Sequence, residues 1–166
     1  LSDQYDLMRS HKRVEDVIVH RQFIEIRTAT IYCQHRITRG WHEIGRMVIR
    51  IYTDPPKRSD SASTPTITVE NLTHKRNTIR DGFHHPHVFP EGNLCMGGYQ
   101  KQMNELLIAH DYASLLGLII FFLETHTPTD AAGQYLHRWP ELKAPQVEAL
   151  VAKGVLPKEN KGESHV

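Results

Sequence analysis

Two cysteines in 166 residues, Cys33 and Cys95, are too few for a secreted disulfide scaffold. Long apolar runs are missing too. The longest, Leu115 to Leu123 (LLGLIIFFL), covers about half of the roughly 20 residues needed to cross a bilayer, and the first residues show no apolar signal segment. Neither charge dominates: 20 Lys and Arg stand against 19 Asp and Glu, a formal balance of +1, so the basic field of a nucleic-acid binder is absent. No P-loop or dinucleotide-binding glycine motif occurs, and no nucleotide cofactor is expected. The expectation is a protein of a reducing, cytoplasmic compartment with no membrane and no nucleic-acid partner.

What the chain does have is an ordinary globular mixture, 39% hydrophobic and 23% charged, at a length that buries one core without staples. A single domain over 1–156 and a polar tail over 157–166 (PKENKGESHV) are expected. Histidine is abundant. The twelve imidazoles would make the chain cationic below about pH 6.5, the ordinary histidine value, although most are expected on the solvated surface.

Residues 1–20 place Leu7, Val14 and Ile18 near one stripe, which predicts an N-terminal helix packing by one face. FIEIRTATIYC (23–33), GRMVIRIYT (45–53) and TITVENL (66–72) are β-branched and alternating, as in an antiparallel meander of about four strands, and 53–66 reads as an exposed loop. From Asn104 to Thr125 the chain is helix-forming and apolar almost all round, the pattern of a central buried helix. TPTDAAGQYLHRWPEL and APQVEALVAKGVL predict short C-terminal helices, the second opened by Pro145. Strands segregated from helices make this an α+β fold.

Between the sheet and the central helix lies HHPHVFPEGNLCMGG, residues 84–98. Cys33 closes a strand, where a packing role is expected; Cys95 lies among glycines and prolines that fix unusual turns and let another chain come close. Two chemistries can use such a cysteine. His85, His87 and Cys95 offer zinc's usual nitrogen and sulfur ligands, but no Cys-x-x-Cys or His-x-x-x-His pair accompanies them and a fourth ligand would have to come from His84 or water. Alternatively Cys95 is a nucleophile that forms a thioester or related adduct, with His85 and His87 as the nearest groups to assist it, or a hydrolase thiol with a histidine base from elsewhere.

The order of elements and this stretch together resemble the ubiquitin-conjugating enzyme family. The family's His-Pro-Asn motif is followed eight residues after the Asn by the catalytic cysteine; here His85, Pro86 and His87 take the motif positions, Cys95 lies eight after His87, and Gly92 stands three before the cysteine. Val88, Leu94 and Met96 supply matching apolar flanks, and IRIYTDPPK is similar to the last meander strands with the proline-rich turn after them. Histidine in the Asn position and the LCMGG ending make the chain most like the divergent bacterial members.

The resemblance implies a carrier that takes a ubiquitin-like protein from an activating enzyme as a thioester on Cys95 and passes it to an amine, usually a lysine of a protein substrate. No metal and no cofactor is required of this chain, because the activating enzyme consumes the ATP. The motif's Asn shapes the loop and has been assigned a hydrogen bond to the oxyanion; His87 retains an N–H for that role. His85, Pro86 and Gly92 would shape the loop. Asp130, after Thr127-Pro128-Thr129, would stand where the family places a polar residue toward the incoming lysine, although a few residues farther from the cysteine than usual. Arg9, Lys12 and Arg13 would form the basic face that binds the activating enzyme. The alternatives are a catalytically silent binding variant of the same fold and a zinc or thiol hydrolase.

Overall fold

The structure is a computed structural model that describes residues 2–53, 66–74, 82–127 and 133–158. Helix α1 (Ser2–Ser10) is followed by strands β1 (Val14–Val19), β2 (Phe23–Thr28), β3 (Ile31–Gln34), β4 (Trp41–Gly45), β5 (Met47–Tyr52) and β6 (Ile67–Asn71). Helices α2 (Gln100–Ile108), α3 (Tyr112–Leu123) and α4 (Ala144–Ala152) come after the connecting loop, with a 3-10 turn at Gly133–Arg138 before α4.

The first helix is half as long as expected. It ends at Ser10, and Val14, Val17, Ile18 and Val19 enter β1 instead, because a β-branched run gains more beside an open strand edge than in a helix. Met8, not Leu7, is its buried anchor. The separation also removes Lys12 and Arg13 from any helix face, and Arg13 turns inward.

The four-stranded antiparallel sheet has the order β1-β2-β5-β6, and β3 with β4 forms a separate two-stranded ribbon. Only Ala29 and Thr30 separate β2 from β3, and only Arg46 separates β4 from β5. The pieces are one long hairpin interrupted where the Thr28 hydroxyl accepts the Met47 N–H at 3.0 Å. A four-stranded antiparallel sheet is therefore present, but its β1 comes from the stretch expected as helix, and 23–33, expected as one strand, is split between the sheet and the ribbon.

Alternation explains the layers. Ile24 and Ile26 of β2, Ile49 and Ile51 of β5 and Ile67 and Val69 of β6 are buried in one core cluster with Met103 and with Leu115, Leu116, Ile119, Ile120 and Leu123. Each such side chain contributes about 1.5 to 3 kcal/mol on leaving water. Elsewhere on the sheet, Glu25 pairs with Arg27 and Arg50, and Arg50 with Glu70, at 3.2 to 3.4 Å.

The stretch expected as one helix from Asn104 to Thr125 is two. His110 takes a left-handed φ of 55°, and the Asp111 side chain accepts the Ser114 N–H at 3.1 Å, a side-chain cap that starts α3 afresh. The turn lets the amphipathic α2 take its own direction and pack its buried Met103 into the core beside the apolar α3. The predicted loop over 53–66 falls mainly on residues outside the described ones, as does most of the tail over 157–166.

Candidate active site

The stretch 84–98 is a strapped loop rather than a regular element. Val88 N–H donates to the His85 carbonyl at 2.9 Å, which closes a tight turn around the buried Pro86. The chain then reverses through Phe89 to Asn93 and returns, so that Val88 bridges Leu94 and the Cys95 N–H reaches the His87 carbonyl at 2.8 Å. Val88 and Leu94 are both buried and tie the two limbs to the core. The eight-residue interval thus places His87 and Cys95 side by side across a narrow loop.

Gly92 makes the return possible. Its φ is 89°, its carbonyl accepts the Val69 N–H at 2.8 Å, and a Cβ there would stand 3.2 Å from the Val69 carbonyl oxygen. Only glycine combines a left-handed φ with so close an approach to the edge of β6.

The histidines join backbone to backbone. The buried His85 ring donates from Nε2 to the Leu123 carbonyl at 2.6 Å, and its Nδ1 accepts the His87 N–H at 2.9 Å. A carbonyl can only accept, so the Nε2–H tautomer is fixed and the ring is neutral. Burial first, and then the neighbouring His87, push its pKa down to about 3, against a smaller upward pull from the Leu123 carbonyl. His87, also without exposed surface, donates from Nε2 to the Thr125 carbonyl at 3.1 Å. His84 accepts the Asn71 N–H at Nδ1 and donates from Nε2 to the Pro90 carbonyl at 3.2 Å.

Leu123 ends α3, where the last turn of a helix leaves its acceptors unsatisfied, and Thr125 lies two residues beyond it. The motif histidines supply the missing donors. Cys33 assists: its Sγ donates to the same Leu123 carbonyl at 2.9 Å, and burial raises its thiol far above the ordinary range. The ring of Phe122 lies between His87, at 4.4 Å, and Tyr99, at 5.3 Å, so both ends of the loop rest on α3.

Cys95 is different. It is partly exposed and belongs to no strand or helix, and Gly97 and Gly98 follow it without side chains. An open groove of about 520 Å³ begins at those glycines and runs past Gln100, Lys101 and Asn104 to the exposed Ile108. Such a thiol is accessible to a second chain.

Of the remaining candidates, Asp130 lies outside the described residues. Arg9 is exposed and donates to the Tyr5 hydroxyl at 3.1 Å, and Lys12 is exposed in the turn after α1. Arg13 is spent inside the molecule: Nε pairs with Glu124 at 2.5 Å and Nη2 donates to the Val155 carbonyl at 2.7 Å. Among the described residues no three His, Cys, Asp or Glu side chains converge as a metal would require, and no helix is long and apolar enough to cross a membrane.

Asn71 is a site residue the sequence reading did not single out. Buried at the end of β6, it donates to the Ile44 and His84 carbonyls at 2.7 and 2.9 Å and accepts the Thr73 and His74 N–H groups, anchoring the chain before the motif. Its only sequence signal is a polar residue on the inward register of an alternating strand. Comparison with family models, with curated proteins and with solved structures finds no match to this chain.

Proposed function

We propose that this chain is a ubiquitin-conjugating-like carrier enzyme with Cys95 as its acceptor thiol. The observation that carries the reading is the bond from the Cys95 N–H to the His87 carbonyl: the motif spacing becomes a loop that holds a partly exposed thiol beside an α3 end capped by His85 and His87. The α+β architecture, with a meander before the loop and helices after it, is consistent with the same family.

The chemistry is two acyl transfers. The Cys95 thiolate adds to the thioester carbonyl at the C-terminus of a ubiquitin-like protein, and the activating enzyme's thiolate leaves. A substrate amine then adds to the new thioester, Cys95 leaves as thiolate, and the amine's proton passes to water or to Asp130. The groove along α2 suits the extended tail, because Gly97 and Gly98 put no side chain in its way.

In this reading His87 shapes the loop. Its ring N–H is committed to Thr125 and has no exposed surface from which to meet a developing oxyanion. Arg9 and Lys12 remain as the exposed basic groups for an activating enzyme.

The test is incubation with ATP and the activating enzyme and ubiquitin-like protein of the same genome. A mass adduct that thiols remove and that Cys95→Ala abolishes is expected. No adduct would leave the silent binding variant as the better reading. With His87→Ala, loading and transfer should fall together; loss of transfer alone would return His87 to the oxyanion.

A further inference from the structure

The tip of the β3–β4 hairpin is held by histidines in a different way. Three consecutive backbone amides there end on imidazole nitrogens. The Arg36 N–H donates to His126 Nδ1 at 3.1 Å, and the Ile37 and Thr38 N–H groups donate to His35 Nδ1 at 3.2 and 3.1 Å. The two rings lie 4.5 Å apart, and His42 of β4 faces His35 at 6.5 Å. Arg39, which closes the turn, has a left-handed φ of 63°, a conformation that a non-glycine residue holds only where neighbouring contacts enforce it.

An Nδ1 that accepts a backbone N–H carries no proton. Protonation converts it into a donor aimed at another donor, so each proton taken up breaks the contacts that the nitrogen supported. The groups that face His35 are His42, His126, His137 of the 3-10 turn and Glu141 beyond it. Burial, followed by the charges that His126 and His42 would carry, holds His35 below the ordinary imidazole value, and Glu141 opposes them.

We propose that the β3–β4 tip is a proton-operated latch: uptake of a proton at Nδ1 of His35 strips the amides of Ile37 and Thr38 of their acceptor and loosens the tip, which Arg36 ties through His126 to the chain leaving α3. The sign follows from linkage. The closed latch binds fewer protons than the open one, so it is fully favoured above about pH 6.5, the ordinary histidine value, and weakens as pH falls below it toward the lowered value of the closed state. The latch is local, because β3 and β4 form a ribbon separate from the four-stranded sheet. It also adjoins the loop, since His126 follows Thr125, whose carbonyl holds His87.

Amide hydrogen exchange followed by NMR on the full chain tests this. Between pH 7.5 and pH 5.5 the protection factors of Ile37 and Thr38 should fall by up to about tenfold for the single histidine that holds them, and the core amides of Ile26 and Ile49, which follow global stability, should respond to pH alike in the wild type and in the variant that follows. In His35→Asn the side-chain oxygen can accept the same two amides without titrating, and the fall at Ile37 and Thr38 should disappear. Wild-type protection of Ile37 and Thr38 that is independent of pH, or a fall there that persists in His35→Asn, would overturn the latch. If asparagine fails to protect the amides at either pH, the wild-type ¹⁵N shifts decide. Nδ1 of His35 must be unprotonated at pH 7.5 and take up its proton as the pH falls below the range in which protection begins to be lost, and an Nδ1 that already carries a proton at pH 7.5 overturns the proposal.

Discussion

Cys33 and Cys95 are the same residue in opposite seats. Cys33 is 1% exposed, its Sγ bound to the last carbonyl of α3, and its thiolate is suppressed by burial. Cys95 stands on the outer limb of a loop whose inner limb is bonded to that same helix end. His85 touches both worlds: Nε2 lies 3.8 Å from Cys33 Sγ, and Nδ1 holds the amide of His87, whose carbonyl holds Cys95. One cysteine secures the platform and the other is displayed on it, and fixed hydrogen bonds keep the two roles apart.

Thiol labelling gives the largest contrast. With a water-soluble maleimide, we expect one fast equivalent at Cys95, lost in Cys95→Ala and retained in Cys33→Ala. Cys33 should react only through opening of the core, at least about 10³-fold more slowly, because core openings approach the global stability. Equal rates would erase the comparison. Mass spectrometry of a quenched time course reads both sites.

The next effect is on stability. His85→Ala removes one donor from the Leu123 carbonyl, leaves the His87 amide without its acceptor and opens a cavity, so a loss of about 3 to 5 kcal/mol is expected in urea unfolding. The wild type should also lose stability as pH falls below about 6.5, where the unfolded imidazole binds a proton, down to about 3, where the folded one does. The contribution is full above that window and declines by about 1.4 kcal/mol per pH unit within it. His85→Gln should remove that one proton from the slope, and an unchanged slope would show that His85 does not carry it.

The smallest effect tests the loop alone. Gly92→Ala forces a left-handed φ on a residue with a Cβ against the Val69 carbonyl and should cost about 1 to 2 kcal/mol in thermal unfolding. It should also narrow the labelling contrast, because the Cys95 limb is displaced while Cys33 is not. A variant with unaltered labelling and stability would show that the return of the loop does not depend on Gly92.

Local pattern made some of this legible and distance concealed the rest. Alternation in MVIRIY and ITVEN marks β5 and β6, and the apolar run around Leu115 marks α3, because each reports burial through residues that are neighbours in sequence. The same reasoning carried the first helix past Ser10, since VEDVIV fits a helical stripe until β2 is known to lie beside it. It also ran α2 into α3, because a single histidine at positive φ has no periodic signature. The loop was legible as spacing only. That its histidines would cap a helix 38 residues downstream depends on partners, Leu123 and Thr125, that are backbone atoms and leave no trace in side-chain identity.

The Leu123 carbonyl also bears on how the molecule comes together. Segments 38 and 90 residues away in sequence must both arrive before that oxygen has its two donors. Closing such long loops is entropically slow, so this junction is expected to form late in folding, after the hairpins and α3 itself. The Cys95 loop rests on that junction, so the order of assembly sets a checkpoint: a nascent chain presents a shaped thiol only once its core is complete.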